Sequence, residues 1–245
     1  MADNPKQQTP EELTPSYYFS DPLSFRFPEI FDGVEFVPDA FLKSKKLFED
    51  FTKDEVRDLF GLLREHVTIA GHFSIEDGTE IGAGARIDGP VLIGRNCKIG
   101  HGALIRGGTI ISDNCVIGHG CEIKNSLLFP GAKVQSLTFV GDSIIGAGAR
   151  VGSGTITANR RFDQKEISVK IKDNRYSIGM EFFGLVLGDY ARLGANVSTL
   201  PGTFIGPYTW VMPSMSISGF IPRSKMVSLE NNVSTKDKAD LVLHK

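Results

Sequence analysis

From Ile69 onward an apolar residue returns at every sixth position: Ile69, Ile75, Ile81, Ile87, Ile93, Ile99, Ile105, Ile111, Ile117, Ile123 and Phe129. A fixed period of this kind marks a stacked repeat. The following residue is often glycine (Gly82, Gly94, Gly100, Gly118). The position four after the ladder residue is small or branched: Ala85, Val91, Cys97, Ala103, Thr109, Cys115 and Cys121. An inward aliphatic, a glycine at the bend and a second small inward residue build one flat side of a three-sided coil. About eighteen residues then complete a turn, and coils stack at roughly the 4.8 Å strand spacing. The predicted fold class is an all-β solenoid, a parallel β-helix of hexapeptide repeats.

The period breaks near Phe129–Gln135, resumes at Phe139, Ile145, Val151 and Thr157, and stops again. It returns as Leu187, Leu193, Thr199, Ile205, Val211 and Ile217. Residues 158–182 therefore leave the solenoid as an inserted loop, with a hairpin expected around Asp173-Asn174. An excursion of that length in so regular a chain points to function. The solenoid is expected over residues 67–222, with a C-terminal tail at 223–245. Residues 1–20 are expected to be disordered, and 21–66 to form a helical and irregular capping segment. Within it Asp39–Phe51 reads as a short helix. Thr52 and Glu55 form a capping box ahead of Val56, Leu59, Phe60 and Leu63, a helix expected to close the amino-terminal end.

Composition narrows the function classes. The 245-residue chain carries a net charge of −2 and 41% hydrophobic residues, a balance that argues against a nucleic-acid partner. No window approaches eighteen uninterrupted apolar residues, so no membrane span is expected. The polar, acidic start MADNPKQQTPEEL has no apolar signal core, and a cytoplasmic location is expected. The three cysteines include no CxxC pair, against both a disulfide framework and a zinc knuckle, and no metal is expected. All three fall in the small inward slot, where cysteine packs as a small hydrophobe.

Candidate chemistry lies on the outside. In the first run only two residues directly after a ladder position are basic, Arg106 and Lys124, eighteen apart and hence in adjacent coils. Like charges that close repel unless an anion sits between them or a carboxylate such as Glu122 intervenes. A phosphate is one natural guest; two solvated surface side chains are the other reading. His101 and His119 are also eighteen apart and stack in the same two coils. They are either plain corner residues or members of a site. Because Lys124 projects outward, its charge reversal is expected to leave the fold intact.

Several stretches carry a family resemblance: IRGG (105–108), CEIKNS (121–126), SLTFVGDSIIG (136–146), GSGTITAN (152–159) with RRFDQK after it, and GLVLGDYARLGANVSTLPGTFIG (184–206). They resemble the acetyltransferase half of the bifunctional glucosamine-1-phosphate acetyltransferase/N-acetylglucosamine-1-phosphate uridylyltransferase family. They are closer still to the β-helix of archaeal and bacterial sugar-1-phosphate nucleotidylyltransferase-like proteins. The resemblance covers most of residues 69–222. It implies a left-handed coil, a homotrimer with sites between subunits, a sugar-phosphate substrate, and acetyl-CoA along a groove beside the later coils. It places Arg106 and Lys124 on the phosphate-side cations, Asn159 on a substrate-binding asparagine and Lys165 on the inserted-loop lysine. Ser153 and Ala195 fall on the acetyl-CoA groove.

The departures matter as much. The family's general-base histidine is replaced by Ser136, a neighbouring tyrosine by Phe139, and a nearby asparagine by Arg150. A serine cannot take the proton from a sugar ammonium without its own activator, whereas a positioned imidazole can. His119 is the candidate substitute base. Three readings follow: an acyl-CoA-dependent N-acyltransferase on an amino-sugar phosphate or nucleotide sugar, a binding or regulatory homologue that has lost the base, or a purely structural or assembly role. No Gly-rich nucleotide-binding segment precedes the repeat, so nucleotidyl transfer is not expected.

Overall fold

The computed structural model describes residues 9–51 and 66–229. The chain winds into a left-handed parallel β-helix whose three flat sides are three eight-stranded parallel sheets. The first sheet begins at Thr68–Ala70, the second at Phe73–Ile75 and the third at Glu80–Ile81, and each coil visits them in that order. Inside, the isoleucine ladder and the small slots form one continuous core that includes Ile87, Cys97, Ile105, Cys115, Cys121 and Ile123, all essentially inaccessible. Burial pushes the Cys115 and Cys121 thiols up, and Cys97, held down chiefly by a hydrogen bond from the Cys115 thiol, is equally buried. Packing explains all three cysteines.

The ladder departs from the strict period of six at one corner. Ile111 lies over Leu128, not Phe129, and Ile123 lies over Val140, not Phe139. The turn between the first and second sheets is one residue shorter in these two coils. Asn125 and Asp142 accomplish it with φ of 43° and 49°, left-handed values that Asn and Asp tolerate better than most side chains. Phe129 and Phe139 consequently point outward. The same corner later holds the insertion, where strands Ser168–Ile171 and Asn174–Ser177 pair as an antiparallel hairpin turning at Lys172 and Asp173. Regular strands continue beyond residue 222, to Met226–Val227.

Outside the solenoid there is a second core. The second sheet presents an outward apolar column of Leu92, Ile110, Leu127, Ile144, Val186 and Phe204, each 3% exposed or less. The amino-terminal segment covers it. Residues 9–20, expected to be disordered, instead include a helix at Pro15–Tyr18 and bury Leu13, Tyr18 and Phe19. Phe129 is stacked on Phe19 at 4.3 Å and lies 4.9 Å from both Phe25 and Phe31. Asp189 fixes the strap by accepting from Ser20 N and Oγ, both at 2.8 Å, and from Ala147 N at 2.8 Å. Tyr17 meets Phe220 on a late coil, whereas Arg26 pairs with Glu76 at 2.7 Å on an early one. Residues 9–51 thus run down a side of the solenoid instead of capping its end. The helix at Ala40–Asp50 is close to the expected one. The Thr52 capping box, the helix beyond it and the tail from residue 230 lie outside the described residues.

Removing the ring at the centre of this second core should be costly. Phe129→Ala is expected to lower unfolding free energy by about 3–5 kcal/mol, read by denaturant titration.

Candidate functional site

With the second sheet covered, the first and third sheets and the corner between them remain open. That corner carries a column built by backbone stacking. The carbonyl of Ala83 accepts from Gly102 N, His101 from Gly120, His119 from Leu137, Ser136 from Gly154, Ser153 from Asn196 and Ala195 from Ser214. Hence His119, Ser136, Ser153 and Ala195, chosen from sequence alone, stand in successive coils on one edge. The His101 and His119 rings are parallel within 3°, with centroids 4.9 Å apart. Both are exposed. Among the described residues no hydrogen bond reaches the Ser136 hydroxyl.

On the first sheet, five residues on from His101 and His119 and next to its corner with the second sheet, Arg106 and Lys124 occupy adjacent coils as their spacing required. A carboxylate intervenes at each. Arg106 Nη1 lies 2.7 Å from Glu122 Oε1, and Lys124 Nζ lies 3.0 Å from Asp142 Oδ2. Asp142 is the hub of the site. Its side chain is only 5% exposed, and it also accepts from Asn125 Nδ2 at 2.7 Å and from Asn159 Nδ2. One buried carboxylate therefore orients two of the expected substrate residues at once. Phe139 closes over the neighbouring Gly141, where an added Cβ would come within 2.6 Å of the Phe139 ring and 2.9 Å of Asn159 Nδ2. The ring of Phe182 lies 5.0 Å from Lys124 Nζ and 4.9 Å from Arg160 Cζ, distances at which a cation is attracted to a ring face.

Sequence reasoning missed Asp142, Phe182 and Arg160. Asn125, Asp142 and Asn159 recur every seventeen residues, a spacing hidden by the assumed eighteen. Lys165 is not brought to the others. It sits exposed on the inserted loop, with its N–H donating to Asp163 at 3.4 Å.

Ser153 and Ala195 line a cleft of about 370 Å³ on the third sheet with Arg150, Arg192 and Trp210. Among the described residues no cluster of three or more His, Cys, Asp or Glu could hold a metal ion, and no helix is long and apolar enough to cross a membrane.

A family model described as the GMPPB C-terminal domain matches residues 87–227, the whole ladder from the second coil onward. The chain belongs to this family. It is also 39% identical over 158 residues to a bifunctional sugar-1-phosphate nucleotidylyltransferase/acetyltransferase of Sulfurisphaera tokodaii, covering 64% of this chain and 39% of that one. It is 35% identical over 181 residues to the bifunctional protein GlmU of Methanococcus aeolicus, covering 74% of this chain and 44% of the relative. The chain thus spans less than half the length of these two relatives. A putative uncharacterized acetyltransferase of Escherichia coli, YaiX, is 36% identical over 168 residues, covering 69% of this chain and 73% of that one.

The Asp142 hub corrects one expectation about Lys124. A carboxylate at position 124 would face the buried Asp142, so Lys124→Glu disturbs fold and site together. The milder Lys124→Met leaves Asp142 with only amide donors. It is expected to cost about 1–3 kcal/mol of stability in thermal or denaturant unfolding, the penalty for stranding a buried charged acceptor.

Proposed function

We propose that the protein is an acyl-CoA-dependent N-acyltransferase, with acetyl-CoA as donor and an amino-sugar phosphate or nucleotide sugar as acceptor. The observation that carries this reading is the convergence of Lys124 and Asn159 on Asp142 at one edge of the first sheet, with the corner column of His119, Ser136, Ser153 and Ala195 at its other edge. Cations and an amide that can hold a sugar phosphate stand on one side of an edge. A cleft suited to a long thioester opens on the other.

The third-sheet cleft fits coenzyme A chemically. Gly152, Ser153, Gly194 and Ala195 line its edge, along which an extended pantetheine arm would lie. Arg150 and Arg192 supply guanidinium groups for phosphate, and exposed Trp210, with Arg192 Cζ 5.8 Å from its ring, offers a face for a purine. In the reaction the sugar amine, once freed of its proton, attacks the thioester carbonyl. The C–N bond forms, the C–S bond breaks and the thiolate leaves. His119, exposed one coil from Ser136, accepts the amine proton in this scheme. Phe139 and Ser136 shape the wall and do no proton transfer.

Relatives with acetyltransferase in their names at 39% and 36% identity support the reaction class. The resemblance to trimeric acetyltransferases, together with the exposed Leu137 (63%), Ile156 (44%) and Leu200 (48%) on and beside the open first sheet, supports assembly as a homotrimer. Light scattering should return three times the 26.7 kDa chain mass; a mass near one chain would remove the shared-site geometry.

A thiol-release assay with acetyl-CoA and a panel of amino-sugar phosphates and nucleotide sugars tests the chemistry. Wild-type protein should turn over, and His119→Ala should lower the rate by about 10²-fold or more. If wild type is silent but Ser136→His gains acetyl transfer, the chain is a binding homologue that lost its base. Silence of both, with no acetyl-CoA binding, rejects the catalytic assignment.

A further inference from the structure

The inserted loop and the end of the first sheet enclose a cavity of about 580 Å³ that none of the roles above uses. Its floor includes Ala158, Leu200 and Ser218. These continue the outward column that starts with Arg106, Lys124 and Gly141, one coil after another. Its walls carry four basic side chains, Arg160, Arg161, Lys170 and Arg175, against one acid, Asp163. That acid is already held by Arg161 through two hydrogen bonds of 2.7 and 2.6 Å.

The hairpin shows why this charge has consequences. Lys170 and Arg175 stand directly opposite each other across the two strands, and like charges so placed destabilise a strand pair. They cannot slip apart. Val169 and Ile171 on the other face are buried at 1% and 3% exposure, and a one-residue shift would expel them to solvent. Among the described residues neither cation has a carboxylate partner. An anion between them would offset the repulsion. Phe162, fully exposed on the cavity wall, offers an uncovered ring face, the kind on which nucleobases stack. Phe182 joins the cavity to the site already described, with Arg160 and Lys124 both about 5 Å from its ring. Along the column, Lys124 and Ala158 are two strand spacings apart, about 10 Å.

We propose that this cavity binds the diphosphate of a nucleotide-linked sugar, with its base on Phe162 and its sugar reaching past Phe182 to Lys124 and Asn159. This rests on the reading that Lys124 and Asn159 hold the acceptor, and names that acceptor as a nucleoside diphosphate sugar instead of a simple sugar phosphate. Coenzyme A carries related diphosphate chemistry, but its cleft opens on the third sheet, away from the loop.

The test is calorimetric titration of the full chain with UDP, GDP, inorganic phosphate, glucosamine 1-phosphate and CoA. Wild type should bind UDP or GDP at least about tenfold more tightly than inorganic phosphate, the margin expected of several charge-assisted contacts. Lys170→Glu replaces a repelling pair by an attracting one, so it should keep or raise the melting temperature while losing about tenfold or more of the diphosphate affinity. Phe162→Ala, at a site with no packing to lose, should weaken nucleoside diphosphates by about fivefold or more and leave inorganic phosphate unchanged. CoA affinity should not move in either variant. Loss of CoA binding in Lys170→Glu would assign the cavity to the donor and overturn the proposal, as would UDP and GDP binding no better than phosphate. Acetyl transfer to glucosamine 1-phosphate without UDP or GDP binding overturns this proposal alone. UDP binding without any acetyl transfer overturns the catalytic reading and supports this one.

Discussion

Each coil must lay its backbone at hydrogen-bonding distance from the next, and at the corners this leaves no room for a side chain. At Gly118 an added Cβ would fall 2.5 Å from Ser136 N, and at Gly100 it would fall 2.5 Å from His119 N. Glycine is forced there by contact. Because the coils cannot spread, a residue's neighbours across the stack are fixed by its place in the repeat. The surface is therefore organised as columns: His101 over His119, then Ser136, Ser153 and Ala195. Function in such a molecule is a matter of which side chains a column collects and where the register slips.

The slip between Ile123 and Leu128 illustrates this. Shortening the corner by one residue in two consecutive coils aligns Asn125, Asp142 and Asn159, so that both amides meet a single carboxylate. A corner of standard length would offset them by one residue and turn one side chain away. The insertion leaves the solenoid at the same corner and returns Phe182 to the ring contacts with Lys124 and Arg160. Meanwhile the amino-terminal strap buries the outward column of the second sheet, anchored by Asp189 at one end and by the Arg26–Glu76 pair at the other. Covering that side leaves the other two sheets and the edge they share as the open surfaces of the solenoid.

The interior is legible because isoleucine at a spacing of six does not fit the helical period of 3.6, and the glycine that often follows it breaks the alternation into short sides; the small slots mark the cysteines as packing residues. What sequence could not deliver was register. Phe129 and Phe139 matched the period in kind and position, yet both face outward, because apolarity alone does not distinguish a ladder residue from one covering a sheet. The same one-residue error concealed the seventeen-residue spacing of the Asp142 hub. Residues 9–20 were misjudged for a different reason. Their polar neighbours suggested disorder, but Leu13, Tyr18 and Phe19 have a partner surface about a hundred residues or more away in sequence. Arg106 and Lys124 are the adjacent pair that their spacing requires, and the choice between an intervening anion and an intervening carboxylate depends on where Glu122 and Asp142 reach.

That choice bears on how the site could take an anion. Both cations are already paired, but unequally. Glu122 is 36% exposed at the side chain and holds Arg106 at the surface, where an ion pair is worth about 0–1 kcal/mol. A phosphate can displace it at little cost, with Glu122 swinging into water. Asp142 has no such exit. At 5% exposure, with two amides also bound to it, it keeps Lys124 in place whether or not a ligand is present. Under the proposed function, Arg106 is then the cation that a phosphate would recruit. Lys124 is the fixed one, its charge largely offset and its position set in advance. Under the proposed function, such a pocket would discriminate by geometry at Lys124 and Asn159, while Arg106 is the cation of the pair free to gain a phosphate. The two cations that looked equivalent from an eighteen-residue spacing therefore have different work to do.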